Sequence, residues 1–285
     1  MFAPGPAAIV QAVKDNGVPG GVVLIVAVLV VAVLMRPFQI AMVQLLEGYW
    51  RERFALRAIE ALAVERHIRK ASVHRAWQHS GPLTPLDTQF KTVVAVSRLK
   101  RRRARKMFDA KEELATYPLD YESFLPTRLG NVLRRGESTA GERYGLNTVV
   151  TYPRLYSFLG PKLEAEIGNQ LDLIDTSCTF AILFAFEAAL SLPLVWRMDW
   201  WGVVPLFFAM FAALSYRGAR RVAAQHAVLL NVAYDLHRFD MLRALRRKLP
   251  RTPEAELKEN QELSQFLADG KWPRGTWIRS YDHPD

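Results

Sequence analysis

The sequence predicts an all-α integral membrane protein with three transmembrane helices, its N-terminus outside, its C-terminus in the cytoplasm and a large helical cytoplasmic region. Three observations predict it. Apolar residues make up 50% of the 285 residues, yet they gather in three runs while charge gathers between and after them. A soluble domain mixes the two along amphipathic elements, so this segregation is a membrane pattern. The basic residues that flank the runs agree on one sidedness, and a Trp cluster sits where two of the runs meet.

Residues 1–16 form a short extracytoplasmic N-terminus. The first run, GVPGGVVLIVAVLVVAVLM at 17–35, carries no charge. At about 1.5 Å per residue it covers roughly 28 Å, enough to cross a bilayer core. It is too long for a signal-peptide core, lacks a basic stretch before it, and is followed by Arg36-Pro37, a poor cleavage site. The second span is expected at 176–196 and the third at 200–216. Residues 197–199 leave room only for a tight extracytoplasmic turn. Trp196, Trp200 and Trp201 cluster there, as indole rings do at the headgroup layer.

Charge sets the orientation. Residues 36–175 hold 23 Lys and Arg against 16 Asp and Glu, and residues 217–285 hold 13 against 9. The deciding residues lie near span ends: Arg36, Arg51 and Arg53 after the first, and Arg217, Arg220 and Arg221 after the third. Basic flanks stay in the cytoplasm. The net charge of +10 follows from this topology, and it also suits anionic lipid. The single cysteine, Cys178, excludes an intrachain disulfide.

In the cytoplasmic region 36–175, apolar positions recur from Phe38 to about Gln78 and predict one long amphipathic helix, stopped by GPLTP at 81–85. Residues 88–115 read as a helix, although Thr92, Val93, Val94 and Val96 also suit a strand. The stretch from Thr116 to Gly160 reads as loop-rich, and its density of Tyr and Pro implies a packed path. Pro161 opens a helix that runs into the second span. After the third span, residues 217–285 begin with a helical continuation that Leu249-Pro250 ends. A last helix follows, capped by Thr252, with Pro253 in its first turn and Gly270 past its end.

Within this pattern, LPTRLGN, comprising Leu125, Pro126, Thr127, Arg128, Leu129, Gly130 and Asn131, resembles the hallmark of a family of uncharacterised actinobacterial integral membrane proteins. LEGYW (46–50), RYG (143–145), YPRLYSFL (152–159), DLHRFDML (235–242) and LSQFL (263–267) extend the resemblance over most of the chain after the first run. It implies a cytoplasmic-membrane location. It carries no established activity and therefore no catalytic residues.

The intramembrane candidate is Glu187, near the middle of TFAILFAFEAALSLPLVW. A bare carboxylate there is costly, and such residues mark functional sites by default. The first and third spans offer no basic partner at that depth. Either the group is protonated, or it faces water. Pro193 cannot donate to the Ala189 carbonyl, and Ser191 lies one turn above, so both offer Glu187 a local partner. Ala181, Ala185, Ala188 and Ala189 form a ridge suited to close helix contact, with Glu187 turned roughly 145° away. Burying all faces of three helices calls for a second copy, so a homo-oligomer is expected. Glu187 then serves assembly, or lines an ion path.

The basic run Lys100, Arg101, Arg102, Arg103, Arg105 and Lys106 reads as a solvated cytoplasmic face, a surface for anionic headgroups, or a site for a cytoplasmic protein partner. No nucleic-acid-binding fold surrounds it, so no specific nucleic acid is expected. No HExxH, phosphate loop or GxSxG occurs, and no metal, cofactor or catalytic site is expected. The functional expectation is a non-enzymatic, oligomeric membrane anchor or scaffold recruiting cytoplasmic partners. The alternative is an oligomeric ion-conducting protein with Glu187 in the pathway.

Overall fold

The computed structural model describes residues 38–50, 57–78, 93–197 and 200–272. The expected first span at 17–35 and the GPLTP stop at 81–85 lie outside the described residues. Eight α-helices occur among those described: α1 (Gln39–Glu47), α2 (Arg57–Gln78), α3 (Val93–Leu114), α4 (Arg128–Ala140), α5 (Thr148–Tyr156), α6 (Pro161–Ser191), α7 (Val204–Ala244) and α8 (Pro253–Asp269). No strand is present among them, so the all-α class holds and the strand option at residues 92–96 falls away from Val93 on.

The frame is the antiparallel pair α6 and α7. Helix α6 starts at Pro161, whose missing N–H costs nothing in the first turn. Its inward face is Ile167, Gln170, Ile174, Cys178 and Ala181, at helical spacings of three and four. Phe184 continues that face and packs on Phe208 and Phe211 of α7, with ring centroids 6.3 and 5.6 Å apart. At 41 residues, α7 is about 60 Å long. It buries Ala219, Ala223, Leu230, Ala233, Tyr234, Met241 and Leu242.

Burial along this pair is inverted relative to hydropathy. Both α6 and α7, with their 3-10 extensions Leu192–Arg197 and Trp200–Val203, are long and apolar enough to cross a membrane. Only 11% of each most apolar window is buried, whereas a soluble protein's core helix would be mostly buried there. Phe180, Phe186 and Leu190 on α6, and Leu206, Phe207, Met210 and Leu214 on α7, are exposed. The cores sit in the more polar halves. One joins Leu146, Leu155, Ile167, Leu230, Tyr234, Met241 and Leu263 across α5 to α8. A second joins Leu129, Val132, Ile174, Cys178, Ala219 and Ala223, with Val43 and Leu46 of α1 against it. A third, around Ala71, Tyr117 and Phe124, sits where α2 and α3 meet the segment after them.

The structure departs from the sequence reading at four places. The long helix expected from Phe38 to Gln78 is broken after Glu47. Gly48 has φ of 96°, its N–H caps Gln44 O, and a Cβ there would lie 2.5 Å from Pro126. The supposedly loop-rich stretch 116–160 is largely helical, holding α4, α5 and two 3-10 turns. Helix α7 ends at Ala244, five residues before Leu249, with Arg246 at φ 53° just beyond it. Helix α6 ends at Ser191 and tightens into the 3-10 segment that contains Pro193. The Thr252 cap is as expected: its hydroxyl accepts from Ala255 N at 3.2 Å, and Gly270 closes α8 at φ 69°.

Candidate functional sites

The seven residues Leu125–Asn131 build a helix junction. Thr127 caps α4 by accepting from Gly130 N at 3.0 Å, and its hydroxyl donates to Glu47 O at the end of α1 at 2.9 Å. Gly130 is needed because a Cβ there would sit 1.9 Å from that same Glu47 oxygen. Asn131, almost fully buried, accepts from Leu125 N at 2.9 Å and donates to Leu125 O and Thr127 O, both at 2.7 Å. Leu129 is fully buried, and its N–H donates to the Tyr216 hydroxyl at 3.2 Å, tying α4 to the end of the apolar half of α7. Pro126 packs on Gly48, and Arg128 pairs with Glu113 at 3.4 Å. LEGYW and LPTRLGN are thus two sides of one joint.

Three of the other blocks, RYG, DLHRFDML and LSQFL, meet in a second joint. A Cβ on Gly145, at φ 78°, would lie 2.2 Å from Leu257 O of α8. Asn260 donates to Tyr144 O at 2.8 Å, and Ser264 donates to Gly145 O at 3.1 Å. Arg143 and the Tyr144 hydroxyl both bond to Asp235, and Arg238 pairs with the buried Glu256 at 2.8 Å. These contacts clamp RYG, DLHRFDML and LSQFL together.

Glu187 is exposed on α6. Its expected local partners are engaged elsewhere. The Ser191 hydroxyl donates to backbone carbonyls, Glu187 O at 2.7 Å and Ala188 O at 3.1 Å, rather than to the carboxylate. The Ala189 carbonyl is not free: the tightened turn around Pro193 lets Leu192 N–H reach it. Of the alanine ridge, Ala181 is buried, while Ala185 and Ala189 are exposed because Phe184 makes the contact with α7.

The basic run winds around α3. Lys100, Arg101, Arg102, Arg105 and Lys106 are exposed and Arg103 is half-buried. Lys106 lies over the Trp77 ring at 4.8 Å, so its ammonium helps to join α3 to α2. Beside it, Lys70 and Arg128 hold Glu113. Burial alone would raise Glu113, but the Lys70 hydrogen bond and charge, with Arg128 and Arg220 behind, take it below the usual carboxylate value. His67 Nδ1 lies 3.0 Å from the Tyr117 hydroxyl, and burial lowers its pKa.

Two cavities were not anticipated from sequence. One, of about 260 Å³, is mostly apolar and lies among α4, α5, α6 and α7. His226 Nδ1 and the Tyr152 hydroxyl are both buried without a partner, and both residues line it. Burial depresses His226 and pushes Tyr152 up to about 12. The other, of about 550 Å³, is polar and lies between α3 and α7, lined by Asp109, Glu112, Glu113, Arg217, Arg220 and Arg221. Each triad has the spacing i, i+3, i+4, which was visible in the sequence, but only the packing brings the two together. Among the described residues no group of three His, Cys, Asp or Glu is arranged to hold a metal. No protein-family model matches the chain, and no curated protein or solved structure matches it.

Proposed function

We propose that the chain is a non-enzymatic integral membrane protein that works as an oligomeric scaffold. In this reading it crosses the cytoplasmic membrane at 17–35, 176–196 and 200–216, with its N-terminus outside. The helical head built on the polar halves of α6 and α7 then recruits or assembles with a cytoplasmic protein. Membership of the actinobacterial membrane-protein family that LPTRLGN resembles belongs to the same proposal. The observation that carries it is the inverted burial of α6 and α7. An apolar half with its side chains outward is stable only if lipid or another chain covers it, and the polar half of each rod is locked into a head. Exposed Ile59, Leu62 and Val73 on α2 and Phe108 on α3 give that head apolar surface for a partner. Lys100 to Lys106 supply contacts to anionic lipid, and no specific nucleic acid is involved.

Crosslinking tests the assembly. In a Cys178→Ser background, Ala185→Cys and Ala189→Cys should each form disulfide-linked dimers in native membranes. Absence of crosslinks at both positions, with a monomeric mass in mild detergent, would overturn the oligomer.

A second reading, an oligomeric ion pathway, is favoured by Glu187 alone. Its carboxylate is exposed within the apolar half and meets no ion-pair partner among the described residues. From Trp196 it lies roughly 16 Å along the chain axis, about half a bilayer core. Cation flux into liposomes, lost in Glu187→Gln, supports this reading. Absence of flux in the wild type removes it.

A further inference from the structure

We propose that the polar cavity between α3 and α7 is a site for the zwitterionic headgroup of a phosphoethanolamine lipid, with phosphate on the arginines and ammonium on the carboxylates. The inference rests on the membrane reading above and gives that membrane a preferred lipid.

Three observations converge. First, the cavity brings two opposite triads to one space. Arg217, Arg220 and Arg221 share a face of α7, and Asp109, Glu112 and Glu113 share a face of α3. Second, no salt bridge joins one triad to the other, although the Arg220 charge adds to the field that lowers Glu113. Glu113 is committed to Lys70 and Arg128. Among the described residues the three arginines, Asp109 and Glu112 form no ion pair, and Arg220 Nε is buried without a partner. Opposite charges that face one space of about 550 Å³ without bridging it fit a bound group that carries both signs.

Third, the approach to the cavity is apolar on the correct side. Leu206, Met210 and Leu214 are exposed at successive fourth positions of α7, and Arg217 and Arg221 continue the same stripe at spacings of three and four. Acyl chains lying along the first three residues would deliver a phosphate to the next two. Guanidinium groups take phosphate oxygens through paired N–H donors. The free carboxylates of Asp109 and Glu112 take the primary ammonium, whose N–H groups can donate to them. A phosphoglycerol headgroup would leave those carboxylates facing an anion. A phosphocholine headgroup has no N–H to give them.

The test uses the full chain, purified in mild detergent and delipidated. Native mass spectrometry then follows retention from an equimolar mixture of phosphatidylethanolamine, phosphatidylglycerol and phosphatidylcholine with identical acyl chains. The expected result is retention of phosphatidylethanolamine by about tenfold over either competitor. Arg217→Gln, an exposed substitution that should leave folding intact, lowers that retention about fivefold or more. Asp109→Asn with Glu112→Gln, both also exposed, shifts preference toward phosphatidylglycerol. Equal retention of the three lipids, or unchanged selectivity in these variants, would overturn the inference. So would competition by water-soluble glycerophosphoethanolamine at the lipid's own concentration, since that would assign the site to a soluble molecule. If the wild type stays soluble without detergent, the membrane reading fails instead. A protein that needs detergent but shows no headgroup preference fails this inference alone.

Discussion

Gly130→Ala tests whether LPTRLGN is a joint. The added Cβ would lie 1.9 Å from Glu47 O and 2.9 Å from both Glu47 C and Leu125 Cδ1. The first obstacle is backbone, so no side chain can rotate away. Recovering an ordinary contact near 3.4 Å requires α1 and α4 to part by about 1.5 Å at that point. Such a shift breaks the 2.9 Å bond from Thr127 to Glu47 O, a loss of about 1 kcal/mol. It also loosens Val43 and Leu46 from the core around Leu129 and Val132, costing roughly 2 kcal/mol more. Alanine's better helix propensity returns at most about 1 kcal/mol. The expected net loss is about 2 kcal/mol, concentrated in α1. Thermal unfolding in detergent reads the total, and hydrogen exchange over residues 39–47 shows that α1 opens first. Gly168→Ala is the control: nothing lies within 4 Å of its Cβ position, so it should be neutral or stabilise by up to about 1 kcal/mol. Unchanged stability and unchanged protection of α1 in Gly130→Ala would refute the joint.

Asn131→Leu should cost about 2 to 4 kcal/mol, because the Leu125 N–H and the Leu125 and Thr127 carbonyls lose a buried partner; chemical denaturation measures it. Tyr234→Phe should cost about 1 to 2 kcal/mol in the same assay, since the fully buried hydroxyl bridges Thr151 Oγ1 at 2.8 Å and Thr148 O at 3.2 Å. A pH effect is expected at Glu47, whose pKa burial raises to about 7, assisted by Glu137 and Asp175. The folded state then holds the proton more tightly than the unfolded one. Stability is therefore full below pH 4.5 and declines as pH rises toward 7, by up to about 3 kcal/mol. Glu47→Gln should flatten that decline between pH 5 and 8, and an unchanged slope would exclude Glu47 as its source.

What could be read from sequence was set locally. Thr252, Pro253 and Gly270 mark both ends of α8, and Pro161 marks the start of α6, because caps and first-turn prolines act within a few residues. Gly48 could not be read this way. The apolar period runs straight through it, and what leaves no room for a side chain there is Pro126 in a distant segment. Pro193 misled for a different reason. The free carbonyl at Ala189 follows only if the helix stays α, and a switch to 3-10 geometry supplies the donor one residue earlier. LPTRLGN was visible as a pattern, yet its meaning depends on Glu47 and Tyr216, far away in the chain. The arginines after Tyr216 carry a topological signal in sequence. Their position opposite Asp109 and Glu112 emerges only from the fold, which sets α3 and α7 on two sides of one cavity.

The central claim is that α6 and α7 cross a membrane and place the head on one side of it. Cysteine accessibility tests it directly, in a Cys178→Ser background. Asp199 falls in sequence between the two expected spans, and Lys258 lies on the exposed face of α8, so each is replaced by Cys. A membrane-impermeant maleimide added to intact cells should label the Asp199→Cys variant at once, and the Lys258→Cys variant only after lysis. Equal labelling of both before lysis, or protection of both until lysis, would contradict the crossing.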